Sequence, residues 1–193
     1  MNVIARASAL LMHPAAAWDE IERERSSVQD VYTRYVAVVA AVPAVAYFIG
    51  FSFVGTGFPA GGQRVPFAHG VAHMVAFYVL TLGIVYALAA FVNALAPAFG
   101  AERDFTRAFR LAAYAPTAMW LAGVFYVLPM VSILALAGLY SLYLLHVGLP
   151  RLMHAPPERA LPFTFVVVLA AIVLVVGVDV LAAMMIPARY RGF

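Results

Sequence analysis

Long apolar runs separated by short charged clusters organise the whole chain. A membrane-crossing helix needs about 20 apolar residues, so the gaps between charges act as a ruler. There are 29 uncharged positions between Arg34 and Arg64, 37 between Arg64 and Glu102, 40 between Arg110 and Arg151, and 19 between Arg159 and Asp179. The run of 40 is too long for one helix and suits two, with Pro129 at the hinge. The pattern predicts an all-α, polytopic membrane helix bundle with five transmembrane helices, at about 35–54, 70–95, 111–127, 130–149 and 162–186. Residues 1–33 precede this transmembrane domain of 34–187, and a short exoplasmic tail, 188–193, follows it.

Two charged stretches outside the spans carry helical periodicity. In the first, Val3, Ile4, Ala7, Leu10 and Leu11 share one face; Pro14 then suits the first turn of a second helix bearing Trp18 and Ile21. Ser27-Val28-Gln29-Asp30 reads as a capping box that opens the first span. The second stretch is RDFTRAFRLAAY, with Phe105 and Phe109 four apart and Arg103, Arg107 and Arg110 on the flanks. Both stretches are expected to lie as amphipathic helices on the inner leaflet, with the three arginines contacting anionic headgroups.

Composition narrows the class further. The chain has 193 residues, of which 65% are hydrophobic and 11% charged, against roughly 25% charged in an ordinary soluble domain. Mean hydropathy is +0.94 and the sequence pI about 9.4. The basic excess points to the lipid bilayer and its anionic headgroups, not to nucleic acid. Cysteine is absent, which removes disulfides and thiolate metal sites. Val3–Met12, interrupted by Arg6, is too short for a cleavable signal. Arginines divide nine to three between the two sets of loops. The positive-inside rule then expects a cytoplasmic N-terminus and a periplasmic C-terminus in a bacterial inner membrane.

Chemistry has few places to reside. GTGFPA at 55–60 fits a Gly-rich fingerprint, but with no strand before it in an exoplasmic loop it is not a nucleotide site. Ser141 and His146 are five apart and point to different faces of a helix. No cofactor is expected, and no convergent nucleophile and base suggests an enzyme. Pro43, Pro116 and Pro129 should kink or break their helices, and Asn93 should bond a neighbouring helix.

The one unusual charge is Asp179, alone within VVVLAAIVLVVGVDVLAAMMI, residues 166–186. His69 and His73 lie one turn apart at the outer end of the second span. Asp179 lies about 27 Å along the fifth span from Leu161, so all three side chains can share a depth. Three readings follow: a tether from Asp179 to His73 or His69, a proton or solute pathway, and a divalent-metal shell of His69, His73 and Asp179. The tether is the leading expectation.

An ordered set of segments also carries a resemblance: LLMHPAAAWDEIERE, a first span with Pro43, FTRAFRLAAYAPTAMWLAGVFYVLP and LYSLYLLHVGLPRLM. Together they resemble the bacterial branch of the Yip (Ypt/Rab-interacting protein) family, over about residues 8–186. The matching positions are Pro14, Trp18, Tyr114, Pro116, Pro129, Tyr140, Tyr143, Gly148 and Pro150. The long soluble N-terminal region and the Asp-Leu-Tyr-Gly-Pro motif of eukaryotic relatives are missing. The resemblance implies five spans and a cytoplasmic N-terminus. The expected function is non-enzymatic organisation of membrane or partner proteins, with a membrane-protein partner or a second copy as the associate. The alternative is a small transporter, ion carrier or lipid-moving protein using Asp179, His69 and His73.

Overall fold

The computed structural model describes residues 2–55 and 63–187, and every regular element among them is helical. The tail at 188–193 and most of the GTGFPA stretch lie outside the described residues. Helix α1 (Val3–Met12) is capped by the Asn2 side chain, which accepts from the Ile4 and Ala5 N–H groups. Helix α2 (Pro14–Arg23) opens on Pro14, whose missing N–H costs nothing in a first turn. The long α3 (Val28–Val54) is capped by Ser27, whose Oγ accepts the Asp30 N–H at 3.1 Å. It includes two stretches of wider, π-type turn at Tyr32–Val36 and Gly50–Val54. A break falls at Ala40, just before Pro43, which cannot donate to the carbonyl four residues back.

Helix α4 (Phe67–Phe99) tightens into a 3₁₀ turn from Ala96 and stops at Gly100, which takes the left-handed conformation at φ 69°. Helix α5 (Phe105–Tyr114) is capped by the Asp104 carboxylate. Helix α6 (Thr117–Ala122) continues as a 3₁₀ stretch through Val127. The chain reverses at Leu128, whose extended backbone is what a residue before proline favours. Helix α7 (Pro129–Met153) is 3₁₀ up to Leu139 and α-helical from Tyr140. Helix α8 (Pro157–Ala183) completes the bundle.

Four of these helices, α3, α4, α7 and α8, are long and apolar enough to cross a membrane. The span expected as one helix over 111–127 is instead two pieces. Pro116 has no N–H for the Ala112 carbonyl, and the helix turns at Ala115–Pro116. Thr117 Oγ1 repairs part of the break by donating to the Tyr114 carbonyl at 2.6 Å, and it meets the Tyr35 hydroxyl at 2.8 Å. The broken segment still runs the length of the bundle. At one end Arg107 contacts His154; at the other Tyr126 lies with Asp179 and Ile186.

Packing is uneven along that length. At the end carrying α1 and α2, Trp18, Tyr35, Phe109, Tyr114, Leu152 and Phe163 are fully buried in one cluster. Leu10 and Ile21, on the short N-terminal helices, are equally buried, each contributing about 1.5–3 kcal/mol relative to exposure. The opposite end is hollowed. Close contact there and along α7 depends on glycine: a Cβ on Gly138 would lie 2.8 Å from the Met119 Cα. Gly83, by contrast, meets nothing within 4 Å, so no described helix packs into the small-residue notch it shares with Ala87.

Candidate functional site

Three helices each bring two residues one turn apart onto a common hollow: Tyr47 and Phe51 from α3, His73 and Phe77 from α4, Asp179 and Ala183 from α8. A spacing of four places such pairs on one face. Pro43, Tyr126, Ser132 and Ile186 complete a cavity of about 400 Å³. Its aromatic wall is a column. Phe51 stacks on Tyr47 at 4.1 Å between centroids, and Tyr47 on His73 at 4.4 Å. Phe77 lies 6.1 Å beyond His73, and Tyr126 meets Tyr47 edge-on at 6.3 Å.

Two side chains of this cavity, His73 and Asp179, make no hydrogen bond to another described residue. His73 is buried, and its Nδ1 has no hydrogen-bond partner. No hydrogen bond or ion pair joins Asp179 to any described residue, so the expected tether from Asp179 to His73 or His69 is not formed. A tether at this depth exists, but it is made by His69, whose Nδ1 lies 3.2 Å from the Met185 carbonyl oxygen. That carbonyl follows the end of α8, where backbone acceptors lose their helical partners. The metal-shell reading of His69, His73 and Asp179 fails for the same reason. Among the described residues no group of three such side chains could hold a metal ion.

A second, apolar groove of about 610 Å³ adjoins the cavity and shares Tyr126 and Ser132 with it. Its walls come from Pro116 and Met119 at the broken helix, Leu142 and Leu145 on α7, and Ile172 and Val176 on α8. The break at Pro116 thus lies on the wall of this groove. Periodicity alone could not reveal Tyr47, Phe77 or Ser132 as cavity residues, because apolar surroundings give every face of these helices the same character. Tyr126, read from depth, suits a belt position; its neighbours Tyr47 and Asp179 make it a wall instead.

The other end holds the charged groups. Arg110 is buried, and its guanidinium donates to the Ser26 carbonyl at 2.6 Å and the Ile21 carbonyl at 3.3 Å. It therefore does not present itself to headgroups: it ties α5 to the end of α2. Arg107, half-buried, contacts Glu102 at 2.5 Å, His154 at 3.0 Å and Asp104 at 3.6 Å. Of the three arginines expected at headgroups, Arg103 alone is exposed. The hydrogen bond from His154, followed by the charges of His154 and Arg107, holds the Glu102 carboxyl below its ordinary value.

Arg6 is a residue that sequence reading placed only as an interruption. It is buried, pairs with Glu24 and with Glu20 at 3.4 Å, and lies over the Tyr114 ring at 5.9 Å. Arg151 closes the same end on Asp19 at 3.0 Å. The N-terminal helices are therefore held on the bundle by buried apolar residues and by ion pairs. Asn93, expected to bond a neighbouring helix, has a buried Oδ1 without a partner, and nothing in the structure explains it.

Comparison with known proteins agrees with this architecture. The Yip1 domain matches residues 8–178. "Inner membrane protein YohC" of Escherichia coli (strain K12) is 28% identical over 160 residues, covering 80% of this chain and 82% of that protein. The protein of the same description from Escherichia coli O6:H1 matches to the same extent. No solved structure matches the chain. With a helical bundle that spans the membrane and a domain match over most of its length, the chain is an integral membrane protein belonging to the Yip1 domain family.

Proposed function

We propose that this is an inner-membrane protein with a cytoplasmic N-terminus that binds a cation-bearing solute at Asp179, without catalysing a reaction. The observation that carries the reading is the unpaired carboxylate on the wall of a cavity also lined by His73, Tyr47, Tyr126 and Ser132. An acid within a membrane span that lacks a protein partner and faces a hollow is suited to a ligand or an ion path. The competing role, organisation of partners through the amphipathic N-terminal helices, needs their apolar faces to be free. On those helices Trp18, Ile21 and Leu10 are fully buried against the bundle, and Ile4 and Met12 remain exposed.

The inner-membrane setting is supported by the description of the Escherichia coli relatives. The orientation is supported by the arginine asymmetry and by the passage of the broken α5–α6 segment along the bundle as a fifth crossing. Because the chain has no cysteine, single cysteines at His13, Glu102 and His154 report on one side and one at Leu128 on the other. Labelling of the first three from outside the cell would reverse the orientation.

The binding reading is tested with a hydrophobic carbodiimide, which reaches carboxyl groups within membranes. In the purified full-length protein, Asp179 should be modified, and sodium or small alkylammonium ions should slow that modification. Absence of labelling at Asp179, or labelling indifferent to every added cation, would remove the proposal.

A further inference from the structure

We infer that the ligand of this site is an amphiphilic primary amine, whose ammonium sits beside Asp179 and whose hydrocarbon tail lies in the groove at the broken helix. The inference rests on the cation-binding reading of Asp179 and adds the chemistry of the rest of the ligand.

The head of the ligand follows from the cavity. Asp179 supplies the one acidic group on its wall among the described residues. A primary ammonium has three N–H donors. The Asp179 carboxylate takes one, and the hydroxyls of Tyr126 and Ser132, on the walls of the same cavity, offer further acceptors.

The tail follows from the continuity of the two hollows. Ala171 and Val175 line the groove, while Asp179 and Ala183 line the cavity. These four residues recur every fourth position and so form one stripe along α8. From Asp179 to Ala171 the stripe is about 12 Å long, and it is apolar throughout. A molecule with its charge at Asp179 therefore finds hydrocarbon walls along the helix axis, as a lipid-like amphiphile requires. No Arg or Lys lines either hollow among the described residues. A zwitterionic aminophospholipid would leave its phosphate unmatched, so the occupant is an amine without an acidic group.

Protection of Asp179 from carbodiimide in the full-length protein, held in a neutral maltoside detergent, tests this directly. Dodecylammonium should give half-protection at a concentration at least about tenfold below butylammonium, since about two buried methylenes suffice for that factor. Dodecanol, with the tail and no charge, should give none. Ala171→Trp, or Ala135→Trp if the first variant does not elute as a single species, fills the groove. Either should raise the dodecylammonium requirement to that of butylammonium and leave butylammonium unchanged. Equal protection by both chain lengths, or no change on filling the groove, would overturn the tail while the Asp179 cation site stands. Stronger protection by phosphatidylethanolamine than by dodecylammonium would overturn the choice of ligand. No protection by any cation would remove the site itself.

Discussion

The indole of Trp18 rests on the bare backbone of Gly148: a Cβ there would lie 2.5 Å from the indole Cε2 and 2.7 Å from Cζ2. Trp18 also meets Tyr114 edge-on at 6.4 Å. One large side chain from the N-terminal segment thus joins α2 to both α5 and α7. Both residues were visible as family positions, but their contact was not.

The first prediction follows from that contact. Gly148→Ala should force the indole from its seat at a cost of about 1–3 kcal/mol, the range for overpacking. Trp18→Ala should cost about 3–5 kcal/mol. Melting of the purified protein in detergent measures both, and limited proteolysis should show residues 1–24 released in each. A seat that is mere surface contact would leave the melting curve and the cleavage pattern unchanged.

Arg110 offers a second. Its guanidinium holds two backbone carbonyls, and hydrogen bonds to a charged group contribute about 1.5–3 kcal/mol. Arg110→Gln should therefore lower the melting temperature in neutral and anionic detergents alike. Arg103→Gln, at an exposed position, should leave stability unchanged. If Arg110→Gln loses affinity for anionic vesicles without loss of stability, the arginine faces headgroups after all.

A third concerns acid. The Glu102 carboxyl is held below its ordinary value of 4.5 by His154 and Arg107. A group with a depressed folded-state value contributes stability that is present above the unfolded value and lost as pH falls through the folded one. Glu102→Gln should thus lower the melting temperature slightly at pH 7, because the pair is exposed and screened. The difference from wild type should close as pH falls from 4.5 through the depressed folded-state value, below which both carry a neutral side chain. A difference that persists at low pH would assign the loss to packing.

The sequence was most legible where one physical rule acted alone. Charge-free runs place four apolar segments where α3, α4, α7 and α8 lie, because the hydrocarbon thickness demands such a length; α3 begins at Val28, seven residues before the expected 35. The break at Pro116 follows from the missing N–H. What periodicity missed was the partner of each polar group. Arg6 read only as an interruption and Arg110 as a headgroup contact, since a helical wheel cannot show that Glu24 or the Ser26 carbonyl waits on another segment. The depth of His69, His73 and Asp179 could be read from helix rise, yet depth does not fix rotation. His69 therefore found the Met185 carbonyl, His73 was buried among rings, and Asp179 remained alone.

That solitude makes the final prediction sharp. A carboxylate that tethered two helices would leave an orphaned partner when removed, so Asp179→Leu would destabilise the protein. Here no described residue pairs with Asp179, and a neutral group is cheaper to hold in a low-dielectric setting than a charge. Asp179→Asn and Asp179→Leu should both melt at or above the wild-type temperature. His69→Ala, which removes the contact to Met185, should instead lose about 0.5–1.5 kcal/mol. The three melting curves in one detergent decide between the alternatives. A fall in stability for Asp179→Leu equal to that of His69→Ala would restore the carboxylate as a structural tether and leave its cavity without a ligand role.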